Sequence, residues 1–215
     1  MIGRPASHTI DGLVGQIEVV VEDPATPPVG LAIVAHPHPL MGGTMDNKVV
    51  HTLVRACVLQ GLRAVRFNFR GVGQTEGVHD EGRGETADML AVLAHCRTDP
   101  AMRELPVVLA GFSFGGAVAA QAHQQWLADG GAPRTPLVLI SPAVTRLAVP
   151  PVPPATLVVE GEQDDVVPPE AILNWARPQS LPITLVPGTG HFFHGQLATL
   201  RELVRRHLAA SLAAR

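Results

Sequence analysis

Apolar residues along this chain form short continuous runs that alternate with helical stripes. Runs such as residues 31–35 and 106–112 are typical of strands buried on both faces of a parallel sheet. Residues 47–60 instead place apolar side chains at helical spacing, with Asp46 as the expected N-cap and Gly61 after the end. The same criteria predict further strands at 64–69, 136–141, 155–161 and 183–186. They predict further helices at 84–96, 114–127, 169–176 and 195–213. Residues 13–22 instead alternate, with apolar Ile17, Val19 and Val21, and suggest an antiparallel or edge strand.

Strands that alternate with helices in this way indicate an α/β fold: a mainly parallel sheet with helices on both faces. A length of 215 residues with 46% hydrophobic residues fits one globular domain over residues 1–215. The segment between the predicted strands 136–141 and 155–161 is a short, proline-rich loop. It is too short for a helical cap, so we expect no cap domain.

Charge and cysteine content exclude several classes of protein. The net charge of −3 gives no general attraction to nucleic acid, and no run approaches the roughly 18–20 apolar residues of a membrane helix. Residues 1–12 carry Arg4, His8 and Asp11 without an apolar run, so we expect no secretory signal and a cytoplasmic protein. Cys57 and Cys96 are expected to be reduced, buried thiols.

The motif with the most specific chemistry is Gly111-Phe112-Ser113-Phe114-Gly115, between a predicted strand and a predicted helix. A nucleophile elbow has this context, because a serine in a sharp strand-to-helix turn exposes its hydroxyl. The glycines leave room for neighbouring backbone, and the helix that follows directs free N–H groups at the reacting centre. Ser113 is therefore the candidate nucleophile.

A reactive serine needs a base, and the base needs an orienting carboxylate. In a fold of this kind, the acid and then the histidine follow the serine along the chain, on loops after later strands. After strand 155–161 the candidates are Asp164 and Asp165, and the position favours Asp164. After strand 183–186 they are His191 and His194, and the glycine-rich turn favours His191.

Backbone N–H groups are expected to form an oxyanion hole. Phe114 follows the nucleophile, and the second donor should come from the loop after residues 31–35. Pro37 and Pro39 have no N–H, which leaves His38, the preferred donor, and Leu40. A metal site at His36 and His38 is the alternative for this loop, but no third ligand stands at a recognised spacing. We therefore predict no metal and no cofactor.

Several segments together resemble those of small, lidless bacterial hydrolases of the α/β superfamily, which are esterase-like and distantly similar to dienelactone hydrolases. The matching segments are HPHPLMGGTM (36–45), NKVV (47–50), RFNFRGVG (66–73), GFSFG (111–115), GEQDDVVP (161–168) and HFFH (191–194). The resemblance implies an α/β-hydrolase sheet, a triad of Ser113, Asp164 and His191, and ester hydrolysis. Dienelactone hydrolases usually carry a cysteine where Ser113 stands, so their thiol chemistry is not implied.

Without a cap, the site should be an open apolar groove that takes a small ester. Its expected lining is Leu40, Met41, Phe112, Phe114, Val166 and Phe192. Core packing is the alternative for these side chains. Arg66, Arg70 and Lys48 are candidates for an anionic substrate group, Arg70 the best placed, and structural ion pairs are their commoner use.

The sequence thus predicts a serine esterase that works through an acyl-enzyme on a small-molecule ester, with neither nucleic acid nor membrane as partner. Other acyl transfers on the same triad remain open: thioester, lactone or amide hydrolysis, and acyltransfer. A non-catalytic binding protein on this scaffold, and peracid-dependent halogenation, are further alternatives.

Overall fold

The computed structural model describes residues 6–213. Part of the N-terminal segment for which no signal was expected therefore lies outside the described residues. The strands within this range are β1 (His8–Asp11), β2 (Gln16–Glu22), β3 (Gly30–Ala35), β4 (Leu62–Phe67), β5 (Val107–Phe112), β6 (Leu137–Ile140), β7 (Leu157–Gly161) and β8 (Thr184–Val186). The α-helices are α1 (Lys48–Leu59), α2 (Arg83–Cys96), α3 (Pro100–Arg103), α4 (Phe114–Ala128), α5 (Pro169–Ala176) and α6 (Leu197–Ala213). Single 3₁₀ turns occupy Pro39–Met41 and Arg177–Gln179.

All these strands join one sheet in the order β1-β2-β4-β3-β5-β6-β7-β8. The pairings β1–β2 and β2–β4 are antiparallel, and the other five are parallel. The predicted α/β class and mainly parallel sheet are confirmed. Because β3 and β5 to β8 run parallel, the loops that follow these strands emerge at the same edge of the sheet.

Apolar side chains from both faces of the sheet pack under separate helical layers. On one face, α1 and α6 cover the sheet through side chains such as Val50, Leu53 and Val204. On the other, α2, α4 and α5 cover it through side chains such as Met89 and Val118. Every residue of β3 and β5 is buried, which explains their continuous apolar sequences.

The N-terminal hairpin differs from the sequence prediction. One strand was expected over residues 13–22, whereas the chain forms β1, a turn in which the N–H of Gly12 donates to Gly15 O (2.8 Å), and then β2. Only Ile10 of β1 is buried, so this edge strand has no apolar alternation to detect. Strand β1 forms because its backbone pairs with that of β2.

The N-cap of α1 is Asn47, not Asp46 as the sequence predicted. Asn47 Oδ1 accepts a hydrogen bond from the N–H of Val49 at 2.8 Å, the usual N-cap contact. The Asp46 carboxylate instead accepts from the buried Arg66 guanidinium at 2.7 Å. A tertiary ion pair therefore decides between two adjacent residues that are both good caps.

Residues 141–156, between β6 and β7, contain neither helix nor strand, which confirms that the chain has no cap there. Within residues 6–213, none of the helices has the length and apolarity that crossing a bilayer requires.

Cys57 and Cys96 are free thiols, Cys57 buried and Cys96 half-buried. Burial raises the pKa of the Cys57 thiol to about 12 and that of Cys96 to about 11, which makes both poor nucleophiles.

Replacing the observed cap tests this correction. We expect Asn47→Ala to lower the free energy of unfolding by about 1 kcal/mol, because the Val49 N–H loses its acceptor. The matched variant Asn47→Asp keeps an acceptor oxygen and should stay within a few tenths of a kcal/mol of the parent. Urea unfolding of the three proteins measures both values, and equal losses in the two variants would contradict the assignment.

Candidate active site

Ser113 occupies the single residue between β5 and α4, in a backbone conformation that few side chains adopt. Its φ of 57° and ψ of −118° lie outside the regions that L-residues favour. The surrounding chain holds it there: its N–H donates to Ile140 O at 2.8 Å, and its carbonyl oxygen accepts from the N–H groups of Gly116 and Ala143. The turn presents the Ser113 hydroxyl at the carboxyl edge of the sheet.

Two glycines make this turn possible because backbone approaches them closely. A Cβ on Gly111 would lie 2.0 Å from Gly115 O. One on Gly115 would lie 2.4 Å from His36 O, in the loop after β3. Since real side chains do not tolerate such distances, both positions require glycine, and Gly115 brings the β3 loop against the start of α4.

A chain of hydrogen bonds joins Ser113 to two residues that are distant in sequence. Ser113 Oγ lies 3.0 Å from His191 Nε2, and His191 Nδ1 lies 2.6 Å from Asp164 Oδ2. The assignment that satisfies both contacts has Nδ1–H donating to Asp164 and Nε2 accepting from the serine hydroxyl. All three side chains are buried. Asp165 and His194, the alternatives that the sequence left open, are exposed and take no part in this series of hydrogen bonds.

Asp164 is held as an anion by its hydrogen bonds. Burial on its own raises the pKa of this carboxyl, but donors to it outweigh that effect and lower the pKa below its usual value. The hydrogen bond from His191 lowers the pKa of Asp164 more than any other donor does. Asp164 Oδ1 also accepts from the N–H groups of Val166 at 2.9 Å and Val167 at 2.8 Å.

The two residues expected to supply the oxyanion hole are in side-chain contact. The rings of His38 and Phe114 are in contact, with centroids 4.8 Å apart. Among hydrogen bonds between described residues, none uses the backbone N–H of Phe114 or of His38, so both remain available to a ligand. The N–H of Leu40 instead donates to His38 Nδ1 at 3.3 Å. The structure therefore favours His38 over Leu40 as the second donor.

His36 does not form a metal site with His38. Its Nε2 accepts from the N–H of Phe69 at 3.0 Å, and its Nδ1–H donates to Pro37 O at 2.6 Å. Burial lowers the pKa of His36 to about 4, so the ring is neutral with both nitrogens engaged. Within residues 6–213, no three His, Cys, Asp or Glu side chains are grouped as metal ligands.

Comparison with known proteins places this architecture. Residues 31–210 match the family model described as an alpha/beta hydrolase domain. The chain belongs to this α/β-hydrolase family. An alpha-beta serine hydrolase homologue from Coxiella burnetii is 38% identical, with 97% of this chain and 99% of that chain covered and a TM-score of 0.81. A serine hydrolase without a lid from Xanthomonas campestris is 36% identical, with 98% and 96% covered and a TM-score of 0.83. An uncharacterized protein of Rickettsia prowazekii is 28% identical over 92% of this chain and 86% of its own length.

The resemblance predicted from sequence motifs, to small lidless α/β hydrolases, is thus confirmed, and family and fold support hydrolase activity. Because the two solved structures cover nearly all of this chain and are nearly fully covered by it, the similarity extends over the whole sheet. The role of each side chain at the site is not part of the match and rests on the geometry above.

The side chains expected to line the groove of this hydrolase fall into two groups. Leu40, Met41 and Phe192 have exposed fractions of 72%, 65% and 44%, and Val166 is also exposed. Phe112 and Phe114 are buried: Phe112 packs on the His191 ring at 4.8 Å between centroids, and Phe114 packs on Phe69. Only the first group is free to contact a substrate, and for the two buried rings the alternative of core packing is correct.

Arg70, which the sequence offered for an anionic substrate group, lies in an ion pair. Its Nε and Nη2 donate to the two oxygens of Asp88 at 2.9 and 2.7 Å. Both side chains are buried, and the hydrogen bonds that the guanidinium donates to Asp88 raise its pKa. This bidentate contact is the structural use that the sequence left as the alternative, so a substrate-binding role for Arg70 is not supported. Arg66 is similarly paired with Glu22 and Asp46.

Four polar residues near the site were not predicted from the sequence. Glu160 is buried on β7 and accepts a hydrogen bond from the Ser141 hydroxyl at 3.0 Å. His79 contacts the rings of His38 and Phe114, and its Nδ1 lies 2.9 Å from the buried Glu85 carboxylate. The sequence did offer a signal for Glu160, because it is an acidic residue at the end of an otherwise apolar strand, residues 157–160. His79 lies on an irregular loop and gave none.

The elbow geometry predicts the cost of a methyl group. We expect Gly111→Ala to lower the free energy of unfolding by about 3 kcal/mol or more, because the new Cβ overlaps Gly115 O. Gly190→Ala is the matched control, since its Cβ would have an ordinary 3.6 Å contact with Gln163 O. Denaturant unfolding measures both. A Gly111→Ala protein as stable as the control would contradict the close approach.

The assignment of Arg70 is tested by separating stability from substrate binding. Arg70→Gln should lower the free energy of unfolding by about 3 kcal/mol, because it leaves the Asp88 carboxylate buried without its cation. The double variant Arg70→Gln/Asp88→Asn should recover part of the loss. A stable Arg70→Gln protein whose KM rises only for anionic esters would instead restore the substrate-binding role.

Proposed function

We propose that this protein is a carboxylic-ester hydrolase that acts through a Ser113–His191–Asp164 triad and an acyl-enzyme intermediate. The observation that carries the proposal is the continuous hydrogen-bond chain from Ser113 Oγ through both nitrogens of His191 to Asp164. Its members come from three loops at one edge of the sheet. Core packing alone gives no reason to bury this row of hydrogen-bonded polar side chains at the carboxyl edge of the sheet.

In the first step, Ser113 Oγ attacks the acyl carbon of the ester while His191 Nε2 takes the hydroxyl proton. The 3.0 Å contact between these atoms is the distance over which such a transfer occurs. His191 then gives the proton to the leaving alcohol oxygen. A water molecule, deprotonated by the same nitrogen, attacks the acyl carbon; the bond to Ser113 Oγ then breaks, His191 returns the proton to that oxygen, and the acid is released. No cofactor takes part in these steps.

Asp164 fixes the tautomer of His191 and stabilises the imidazolium as it forms. It stays ionised, because its lowered pKa keeps the negative charge next to Nδ1–H. The backbone amides of Val166 and Val167 hold the carboxylate in a fixed orientation, so the charge needs no reorganisation when the histidine becomes cationic.

The oxyanion of the tetrahedral intermediate accepts hydrogen bonds from the N–H groups of Phe114 and His38. The former lies at the N-terminal end of α4, where the helix dipole also favours negative charge. A single donor of this kind typically contributes a factor of about 10²–10³ in kcat. A structure with a phosphonate adduct on Ser113 would measure both contacts directly.

The substrates are proposed to be small esters with short acyl chains. The exposed ring of Phe192 packs against His191, and together with the exposed Leu40 and Met41 of the β3 loop it would give a shallow apolar surface. No cap lies between β6 and β7 to cover it. Such a surface can bury a few methylene groups but cannot enclose a long lipid chain.

Removal of the nucleophile is the primary test of this function. Ser113→Ala should lower kcat for p-nitrophenyl acetate by at least about 10⁴-fold, and it should abolish covalent labelling by a fluorophosphonate. Ser211→Ala, on α6, is the matched serine control and should retain both. Activity or labelling that survives in Ser113→Ala would overturn the proposal.

The acid and the base are tested by neighbouring pairs. Asp164→Asn should lower kcat by about 10⁴-fold, because an amide no longer selects the Nδ1–H tautomer, whereas Asp165→Asn should change kcat by less than about threefold. His191→Gln and His194→Gln should differ in the same sense. Steady-state kinetics with one short-chain ester compares all four, and a reversed order within either pair would reassign that role.

A further inference from the structure

Behind the candidate triad, at the end of β7, lies a second acidic residue that the proposed mechanism does not use. Glu160 is completely buried. Its Oε1 accepts two hydrogen bonds, from the Ser141 hydroxyl at 3.0 Å and from the N–H of Gly161 at 3.0 Å. The second oxygen, Oε2, is also buried, and no donor among the described residues is directed at it.

An ionised carboxylate in this position would leave Oε2 without a hydrogen bond in a site closed to water, which is strongly unfavourable. A proton on Oε2 removes that problem, because the atom then becomes a donor. Burial, followed by the neighbouring Asp164 carboxyl, raises the pKa of Glu160 to about 9. Glu160 therefore carries its proton at neutral pH.

The acceptor for this proton is Asp164. The Asp164 carboxyl neighbours that of Glu160, and a hydrogen bond between the two would raise the pKa of Glu160 and lower that of Asp164, which is the direction of both shifts. Asp164 already accepts from His191, Val166 and Val167, whereas Glu160 accepts from two donors. When two neighbouring carboxyl groups share one proton, it resides on the group with fewer donors, which here is Glu160.

We propose that Glu160 is a neutral positioning residue whose Oε2–H donates to Asp164, extending the chain Ser113–His191–Asp164 by a fourth member. This inference rests on the proposed function, since it concerns the same site. The donated bond holds the Asp164 carboxylate facing His191 and withdraws part of its charge. Asp164 is the charged group that faces Glu160, and His191 lies beyond Asp164. On the other side, from the end of β6, Glu160 meets only the neutral hydroxyl of Ser141.

The protonation state can be tested without measuring catalysis. Since the folded-state pKa of Glu160 is raised above the unfolded value, its contribution to stability is fully present at low pH. That contribution is lost progressively as pH rises from about 5 towards 9. Glu160→Gln keeps the shape, the acceptor oxygen and a donor, but it does not titrate. Between about pH 6 and 8, the unfolding equilibrium constant of the parent divided by that of Glu160→Gln should therefore rise by close to tenfold per pH unit.

Urea unfolding at several pH values measures this ratio. Glu162→Gln, which changes an exposed carboxylate two residues further on, is the matched control, and its ratio should stay nearly constant. A ratio for Glu160→Gln that is equally flat would show that Glu160 is ionised in the folded protein, and the inference would be wrong.

The positioning role is tested by kinetics on p-nitrophenyl acetate. Glu160→Gln should keep kcat within about threefold of the parent at pH 7, and it should lack any change in kcat that the parent shows as Glu160 ionises near pH 9. Glu160→Met fills similar volume without a donor, so kcat should fall tenfold or more with little change in KM. Equal activity of the Met and Gln variants would overturn the positioning role, as would a Gln variant as impaired as Met.

The esterase function and the proton on Glu160 can be tested independently of each other. If Ser113→Ala were fully active, the proposed function would fail, while the stability ratio would still report the proton on Glu160. If Ser113→Ala were inactive but the stability ratio were flat, the esterase proposal would stand and only the role of Glu160 would be lost. Should Glu160→Met not fold, the Gln variant still decides both the stability ratio and the rate near pH 9.

Discussion

The site depends on how closely three pieces of backbone approach one another around Ser113. Gly111 at the end of β5 lies against the carbonyl of Gly115 at the start of α4, and Gly115 lies against the carbonyl of His36 in the β3 loop. These contacts hold Ser113 in a conformation with φ of 57°, which a free chain would rarely adopt. They also bring the β3 loop, which carries His38, against the start of α4, which carries Phe114. One steric constraint thus positions both the nucleophile and the expected oxyanion hole.

The other half of the site depends on the parallel order of β5 to β8. Because these strands run in one direction, the loops with Asp164 and His191 reach the edge where β5 ends. Burial of Asp164 would be unfavourable for a bare carboxylate, and its hydrogen bonds offset that cost. The N–H groups of His191, Val166 and Val167 donate to the Asp164 carboxylate, and Glu160 lies behind it. The charge next to His191 is therefore fixed before any substrate arrives, which is the condition for electrostatic stabilisation of an imidazolium.

Continuous apolar runs and glycine spacing carry most of the information that the sequence makes available. The runs around β3 and β5 and the elbow at residues 111–115 locate the sheet and the serine, because burial on both faces and a tight turn each restrict the residue type. Long-range pairing is not visible in the same way. Edge strand β1 exists through its partner β2, Asn47 caps α1 because Asp46 pairs with Arg66, and Arg70 is occupied by Asp88. Each depends on a residue at least 18 positions away or on an adjacent strand, so local pattern cannot predict it. The proton assigned to Glu160 depends on burial together with Asp164 and is equally invisible in sequence.

The central claim is that Ser113 Oγ becomes covalently acylated during turnover, and trapping that intermediate tests it most directly. The protein is mixed with p-nitrophenyl acetate, quenched in acid within the first turnovers, and digested for peptide mass spectrometry. The account predicts one acetyl group on the peptide that contains Ser113, which disappears on longer incubation once the substrate is consumed. An acetyl group confined to another residue, or turnover with no acetylated peptide in a quench fast enough to precede hydrolysis, would contradict it.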